Sequence, residues 1–499
     1  MSSALSKILD QYGPMLSGQA GRLLRNATGI SEIAVRQRIS RTSSPIHKLN
    51  GINFAKNQKF LYLSSQFQKP LFKEKLIGAF SNGAVCYANA IRCLESKGGR
   101  MPHSSWLTSC GSPIRKLKGH LLAETILAKL NELNIVEIAP DDRYGRIIRL
   151  SSVSTARQKL WALCLAETMV LKMVSDWARK LALTSYEQQN IRSFDEPPPE
   201  FGGFGWDYSA PCFLNGIVRY DETTSKTIPG FFVADICLNQ SVTYDDLVPF
   251  FTKLNIVRNR TGVRPFVPCF IASDLDSSAI KALRQHKVLV GLLSNIFDKD
   301  TKDLLATLIN TLEHATSFAA NHPERIESLL EGLSRIEGEA LNVRGALFTM
   351  IVGHYCSAQG ARIEINKEVY DPESEARGDI DVLVDHDSAH VSCIECKGKH
   401  SNARVTLPEA QKWISSKIPL MRKFLHSHEQ YAHKHMSFEL WTSGRFEQDA
   451  IDFLRAREEH TAKYKIAHRD RDSILRLFQE AKLNKLARML IDHYDRRST

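Results

Sequence analysis

The sequence contains no run of eighteen or more apolar residues, so no membrane-spanning helix is expected. Its opening residues, Met1-Ser2-Ser3-Ala4-Leu5-Ser6-Lys7, hold no apolar stretch of the kind that directs export. Ten cysteines are scattered without a regular framework. That argues against a disulfide-stapled secreted fold and for a reducing, cytoplasmic compartment. No G-x-x-x-x-G-K-[ST] phosphate loop occurs, so the chain is not expected to carry an ATP-driven motor; translocation or unwinding would need a separate motor protein in a larger complex. Cys393 and Cys396 form one C-x-x-C, but no second pair is spaced to complete four zinc ligands.

What is present is a soluble, multidomain composition: 499 residues, 43% hydrophobic and 24% charged. The net charge of +11 is unevenly spread. The first 70 residues hold ten Lys and Arg against two acids, and the next 80 hold twelve against seven. These 150 residues carry +13, and the other 349 carry −2. A basic module on a near-neutral body is the footprint of a polyanion binder. A solvated basic surface is the plainer account, and both stay open at this point.

Along the chain, residues 1–68 read as three helices and a hairpin. Leu5, Ile8 and Leu9 mark the first helix and Gly18 to Arg25 the second. Ser31 is the expected N-cap of a third, reaching about Arg41. Ile52-Asn53-Phe54 and Phe60-Leu61-Tyr62-Leu63 are the expected hairpin strands. This order resembles a winged helix-turn-helix. The resemblance implies that Arg36, Arg38 and Arg41 face a DNA groove and that Lys56 and Lys59 lie on the wing near phosphates. Residues 69–152 repeat the order, with a strongly periodic helix from Gly119 to Leu133 and a hairpin around Asp141-Asp142-Arg143-Tyr144-Gly145. Residues 153–205 read as a helical connector closed by Pro197-Pro198-Pro199 and Gly202-Gly203.

Residues 206–300 alternate strand and helix: strands at 231–237, 266–272 and 288–290, helices at 244–257 and 277–286. No G-x-G-x-x-G follows these strands, which argues against a dinucleotide-binding unit. Residues 301–499 continue the alternation after a helical stretch. Strands are expected at 380–384, 391–395, 438–442 and 463–467, and helices at 409–424 and 448–460. The class is thus α/β and α+β, with mixed sheets flanked by helices.

The last segment carries the chemistry. Ile380-Asp381-Val382-Leu383-Val384 and Ile394-Glu395-Cys396-Lys397 are joined by the turn Asp385-His386-Asp387-Ser388 and should pair as a hairpin. Side chains alternate along a strand, so Glu395 and Lys397 share one face and Cys396 takes the other. Asp381 on the adjoining strand can reach Glu395. Two carboxylates so placed suit a hard divalent cation such as Mg²⁺.

Gly378-Asp379-Ile380-Asp381-Val382 with Glu395-Cys396-Lys397-Gly398-Lys399 resembles the PD-(D/E)xK, or restriction endonuclease-like, superfamily. The resemblance implies a metal-dependent endonuclease hydrolysing phosphodiester bonds with Mg²⁺ or Mn²⁺. In it Asp381 and Glu395 are metal ligands, Asp379 a supporting acid and Lys397 the catalytic lysine, and Gln411 on the next helix lies near the site. Many relatives carry a Glu on the helix before the hairpin. Thr349 stands at that position here, with Glu339 as another nearby carboxylate, and the departure bears on a second metal ion. Residues 206–300 repeat the strand order, with Asp207 and Asp235 at the acid positions and Cys237 where the lysine would be, as in a degenerate copy of the fold. DNA is the expected polymer. An RNA nuclease and a non-catalytic DNA-binding or assembly protein are the other readings, and a homodimer would suit double-strand cleavage.

Overall fold

Among the described residues, strands gather into two three-stranded sheets near the N-terminus, two five-stranded sheets further on and three two-stranded ribbons, with many helices between them, a mixed α/β architecture. A computed structural model describes residues 4–141, 143–152, 157–185, 187–194, 196–223, 225–238, 241–297, 299–334, 341–374, 376–460 and 463–494. They form two compact units. The first comprises 1–139, 146–154 and 181–291, and the second 140–145, 155–180 and 292–499.

The first unit opens with helices Ala4–Tyr12, Ser17–Thr28 and Glu32–Ser40. Ser31 caps the third as expected, its hydroxyl accepting from the Ala34 N–H at 3.3 Å. Leu5, Leu9, Leu24 and Val35 close a small core with Leu61 and Leu63. The hairpin differs from expectation. Phe60–Leu63 is a strand, but its partners are Ile46–Lys48 and Met15–Leu16. Ile52 and Phe54 are both buried, in a cluster that includes Phe60, Phe72 and Phe80. The Ala55 N–H bonds to the Gly83 carbonyl, so this stretch serves the core without joining the ladder. Lys56 therefore sits in a short 3-10 turn at φ +56. Helices Pro70–Ser81, Val85–Ser96, His103–Ser109 and Ala123–Glu132 follow, with a sheet ordered Arg100–Pro102, Gly145–Leu150, Val136–Asp141.

The five-stranded sheet of the first unit consists of β1 (Asn190–Ile191), β2 (Tyr208–Cys212), β3 (Gly230–Cys237), β4 (Phe266–Ala272) and β5 (Leu289–Leu292), adjacent in that order. β1–β2 and β2–β3 are antiparallel, and β3–β4 is parallel. A parallel neighbour needs a crossover, supplied by helix α1 (Tyr244–Arg258). Helix α2 (Ser277–Gln285) precedes β5.

The second unit has the same plan. Its sheet is β6 (Arg362–Tyr370), β7 (Arg377–Asp385), β8 (His390–Lys397), β9 (His435–Thr442) and β10 (Lys465–Arg469), in that spatial order. β6–β7 and β7–β8 are antiparallel, β8–β9 and β9–β10 parallel. Helix α3 (Leu341–Ala358) precedes β6. The β8–β9 crossover is α4 (Leu407–Lys412), a wide π turn (Trp413–Lys417) and α5 (Ile418–Ser427). Helix α6 (Gln448–His460) crosses from β9 to β10. β6 was not expected from sequence, because Lys367 interrupts the alternation of Ile363, Ile365 and Val369. The helix read as a connector, Arg157–Lys180, belongs to the second unit and lies against Lys299–Glu313. After β8, Gly398 packs so closely on α3 that a Cβ there would lie 2.5 Å from the Gly345 Cα, whereas a Cβ on Gly345 would meet nothing nearer than 3.9 Å, so the side-chain-free residue is required at position 398.

Candidate metal and phosphodiester site

Val382 of β7 stands opposite Ile394 of β8, which sets Asp381 opposite Glu395. On the other side Ile365 pairs with Val382 and Lys367 with Ile380, which sets Asn366 across from Asp381. A row Asn366, Asp381, Glu395 thus crosses the three strands. Strand alternation puts Asp379 and Lys397 on the same face. All three carboxylates are buried, Asp379 and Asp381 at 3% exposure and Glu395 at 1%. The Cys396 N–H donates to Asp381 Oδ2 at 2.8 Å.

Buried carboxylates persist as anions only when paired, and each of these is. Lys397 Nζ lies 2.9 Å from Glu395 Oε1, and Lys417 Nζ donates to both Glu395 oxygens at 2.6 and 2.8 Å. Arg143, in the turn 140–145, places Nη2 at 2.6 Å from both Asp379 Oδ2 and Asp381 Oδ1. Arg157 donates to the Gly378 carbonyl at 2.8 Å and pairs with Asp141 at 2.8 Å. Asp141 Oδ1 in turn accepts from the backbone N–H groups of Arg143 and Tyr144 at 2.9 and 3.1 Å, which shapes the turn that presents Arg143. Asp141, Asp379, Asp381 and Glu395 therefore face Arg143, Arg157, Lys397 and Lys417 in charge balance.

The pairing sorts the acids. Burial and the facing Glu395 raise Asp381 to about 6 against the pull of Arg143. Burial would also raise Asp379, but the guanidiniums of Arg143 and Arg157 outweigh it and bring the carboxyl down to about 2. Burial opposes ionisation of Glu395 too, yet Lys417 and Lys397 hold it below its usual value. Lys397 is held above its usual value, because Glu395 outweighs burial. It is a cation in this arrangement.

Of the residues expected at the site, Asp379, Asp381, Glu395 and Lys397 come together. Gln411 is exposed on α4, and the residue of this crossover that reaches Glu395 is Lys417. The π turn explains how. At 100° per residue, the eight steps from Trp413 to Met421 overshoot two turns by about 80°. The wide turn absorbs about one residue, so both side chains are buried in the core and Lys417 between them meets Glu395. Thr349 lies beside the Cys396 thiol, on the face turned away from Glu395. Glu339 lies outside the described residues. Arg143, Arg157, Asn366 and Lys417 were not foreseen. A Lys on the crossover helix was within reach of pattern reading, but nothing local marks Arg143, which is 238 positions from Asp381.

A hard-oxygen donor set of this kind suits Mg²⁺ or Mn²⁺. Neither Asp379 oxygen receives a hydrogen bond among the described residues, although Arg143 is 2.6 Å away. The Asn366 amide nitrogen is likewise buried without an acceptor there. The Asp379 oxygens thus have acceptor capacity that their protein partners leave unused. Among the described residues no group of three or more His, Cys, Asp or Glu side chains stands ready-arranged around a common point for a metal, because the cations sit between the acids.

The first unit holds a parallel arrangement. Tyr208 pairs with Ala234, so Asp207 faces Asp235 as Asp381 faces Glu395. The Ile236 N–H donates to Asp207 Oδ2 at 2.9 Å, the counterpart of the Cys396 bond. Arg192, just beyond β1, pairs with Asp207 at 2.7 Å, and Lys253 of crossover helix α1 pairs with Asp235. Cys237 occupies the place of Lys397. Arg192 and Lys253 are 1% exposed, whereas Arg143 is 32% exposed and Lys397 31%. The two clusters differ chiefly in access.

Among the basic residues near the N-terminus, Arg38 and Arg41 lie three apart at the end of helix Glu32–Ser40 and line one groove with Gln37 and Thr42. Arg36 is engaged by Glu32 at 2.6 Å. Lys56 and Lys59 are exposed on the chain entering strand Phe60–Leu63.

No family model and no curated protein matches this chain. Among solved structures it is similar to one titled as a protein of unknown function, AF1548, at 16% identity over 28% of this chain and 67% of that one, with a TM-score of 0.21.

Proposed function

We propose that the chain is a metal-dependent endonuclease of the PD-(D/E)xK kind, hydrolysing phosphodiester bonds in DNA. The observation that carries this reading is the facing of Asp381 and Glu395 across two central strands, with Lys397 two residues on and on the same face. Asp381 and Glu395 would hold Mg²⁺ or Mn²⁺, with Asp379 supporting. When bound, the ion neutralises charge on the scissile phosphate and acidifies water for attack. Lys397, cationic and partly exposed, offsets the charge that develops on the phosphate. The sheet of the first unit is read as a copy that lost this lysine to Cys237 and kept its acids as a sealed structural pair. The N-terminal helices and small sheets are read as winged-helix modules, with Arg38 and Arg41 on the DNA face. Restriction, phage defence, repair and mobile-element processing are all settings for such an enzyme.

The filling of every carboxylate by a lysine or arginine favours a second reading, a non-catalytic DNA-binding or assembly protein built on the same sheet. Purified protein with Mg²⁺ and duplex DNA, single-stranded DNA or RNA separates these readings. We expect DNA cleavage that Lys397→Ala reduces by roughly a hundredfold or more, the usual scale for loss of one charge-stabilising group. No cutting of any polymer, or full cutting by the variant, would overturn the assignment; preferential cutting of RNA would change the substrate.

A further inference from the structure

We propose that Arg143 is a built-in competitor for the divalent cation: its guanidinium holds the place of the ion between Asp379 and Asp381, and it must withdraw before metal binds. The inference rests on the metal-site reading of the carboxylates and adds to it a regulating residue.

Three observations carry it. First, Arg143 contacts two carboxylates through one nitrogen at 2.6 Å each, the bridging role a divalent ion would take. Second, it fills the place without completing it. Both Asp379 oxygens are buried and receive no hydrogen bond among the described residues, and the Asn366 side-chain amide, whose oxygen accepts from Arg143 at 3.4 Å, donates none from its nitrogen there. A guanidinium belonging permanently to a buried site is expected to spend several of its N–H groups on fixed partners. Third, the first unit shows what a permanent arrangement looks like. There the cation beside Asp207 is Arg192, 1% exposed, donating from Nε at 2.7 Å and from Nη1 to Ser105. Arg143 comes from a turn and keeps 32% of its side chain in solvent. One guanidinium is built in and the other can leave.

Withdrawal changes the charge balance. With Arg143 in place the four acids are matched by four cations, and the face has no excess charge to attract a metal. With Arg143 away, one unmatched negative charge remains between the two aspartates, and the cation affinity rises accordingly.

The test is direct Mn²⁺ binding to the full-length chain, read from the paramagnetic resonance of free Mn²⁺. Wild type, Arg143→Ala, Arg143→Lys and Asp381→Asn are compared after circular dichroism confirms that each is folded. We expect Arg143→Ala to bind roughly tenfold or more tighter than wild type. Arg143→Lys should fall between them, since a single ammonium reaches two carboxylates less well, and Asp381→Asn should bind weakest. If Arg143→Ala does not fold, Arg143→Lys decides the matter alone. A folded variant at position 143 that binds Mn²⁺ no tighter than wild type overturns the proposal, even where wild type cleaves DNA and the nuclease reading stands. A gain in Mn²⁺ affinity without cleavage upholds it and removes the nuclease reading.

Discussion

Asp381 and Asp379 lie two residues apart on one strand face, yet their surroundings push them in opposite directions. Asp381 is raised to about 6 by burial and by Glu395. A carboxyl raised on folding favours the protonated state, so its contribution to stability is present below the unfolded value of about 4 and is lost as pH rises through 6. Asp379, brought down to about 2 by Arg143 and Arg157 against burial, contributes stability above about 4 that is lost as pH falls towards 2. Urea midpoints of chelator-treated protein should therefore show wild type losing stability relative to Asp381→Asn between about pH 4 and 6. A wild type-to-variant difference that stays constant across that interval would count against this account of Asp381.

At the scale of elements, both crossover helices deliver one lysine to the acid of the preceding strand: α1 through Lys253 and the α4–α5 crossover through Lys417. The two are not equally replaceable. Lys253 is fully buried and also donates to the carbonyls of Thr108 and Gly205 at 2.9 and 3.0 Å. Removing it strands a buried carboxylate and should cost about 3–5 kcal/mol. Glu395 keeps Lys397 when Lys417 is lost, so Lys417→Met should cost clearly less than Lys253→Met in urea unfolding of the full chain. Equal costs would show that Lys397 does not share the charge of Glu395. Much of this level was legible in the sequence. The β7–β8 hairpin and the common face of Glu395 and Lys397 follow from alternation and a turn, and Asp207 and Asp235 were marked as acid positions by the repeated strand order. What escaped reading depends on partners distant in sequence. Ile46–Lys48, not Ile52–Phe54, joins Phe60–Leu63, because burial in a neighbouring cluster and strand pairing leave the same apolar pattern. Arg143 reads locally as one more hairpin-turn residue, and only the folded second unit sets it between two aspartates.

Across the whole molecule, the +13 carried by the first 150 residues is the property most open to measurement. If Arg38 and Arg41 meet phosphates, the logarithm of duplex affinity should fall linearly with the logarithm of salt. Replacing both with alanine should flatten that slope by roughly 1.8, about 0.9 for each phosphate no longer neutralised. Arg36→Ala should change it less, since Glu32 already engages that guanidinium. An unchanged slope in the double variant would remove these two residues from the nucleic-acid face.

The two backbone bonds onto carboxylates, Cys396 N–H to Asp381 and Ile236 N–H to Asp207, give the chain a matched pair of spectroscopic probes. An amide donating to an anion resonates far downfield, and its position follows the charge of that one oxygen. In a ¹⁵N-labelled sample the Cys396 signal should move when Mn²⁺-free protein is titrated with Mg²⁺. The Ile236 signal, behind its sealed pair, should stay still and serve as the internal standard. The resemblance between the two sheets thus becomes a built-in control for whatever binds at one of them.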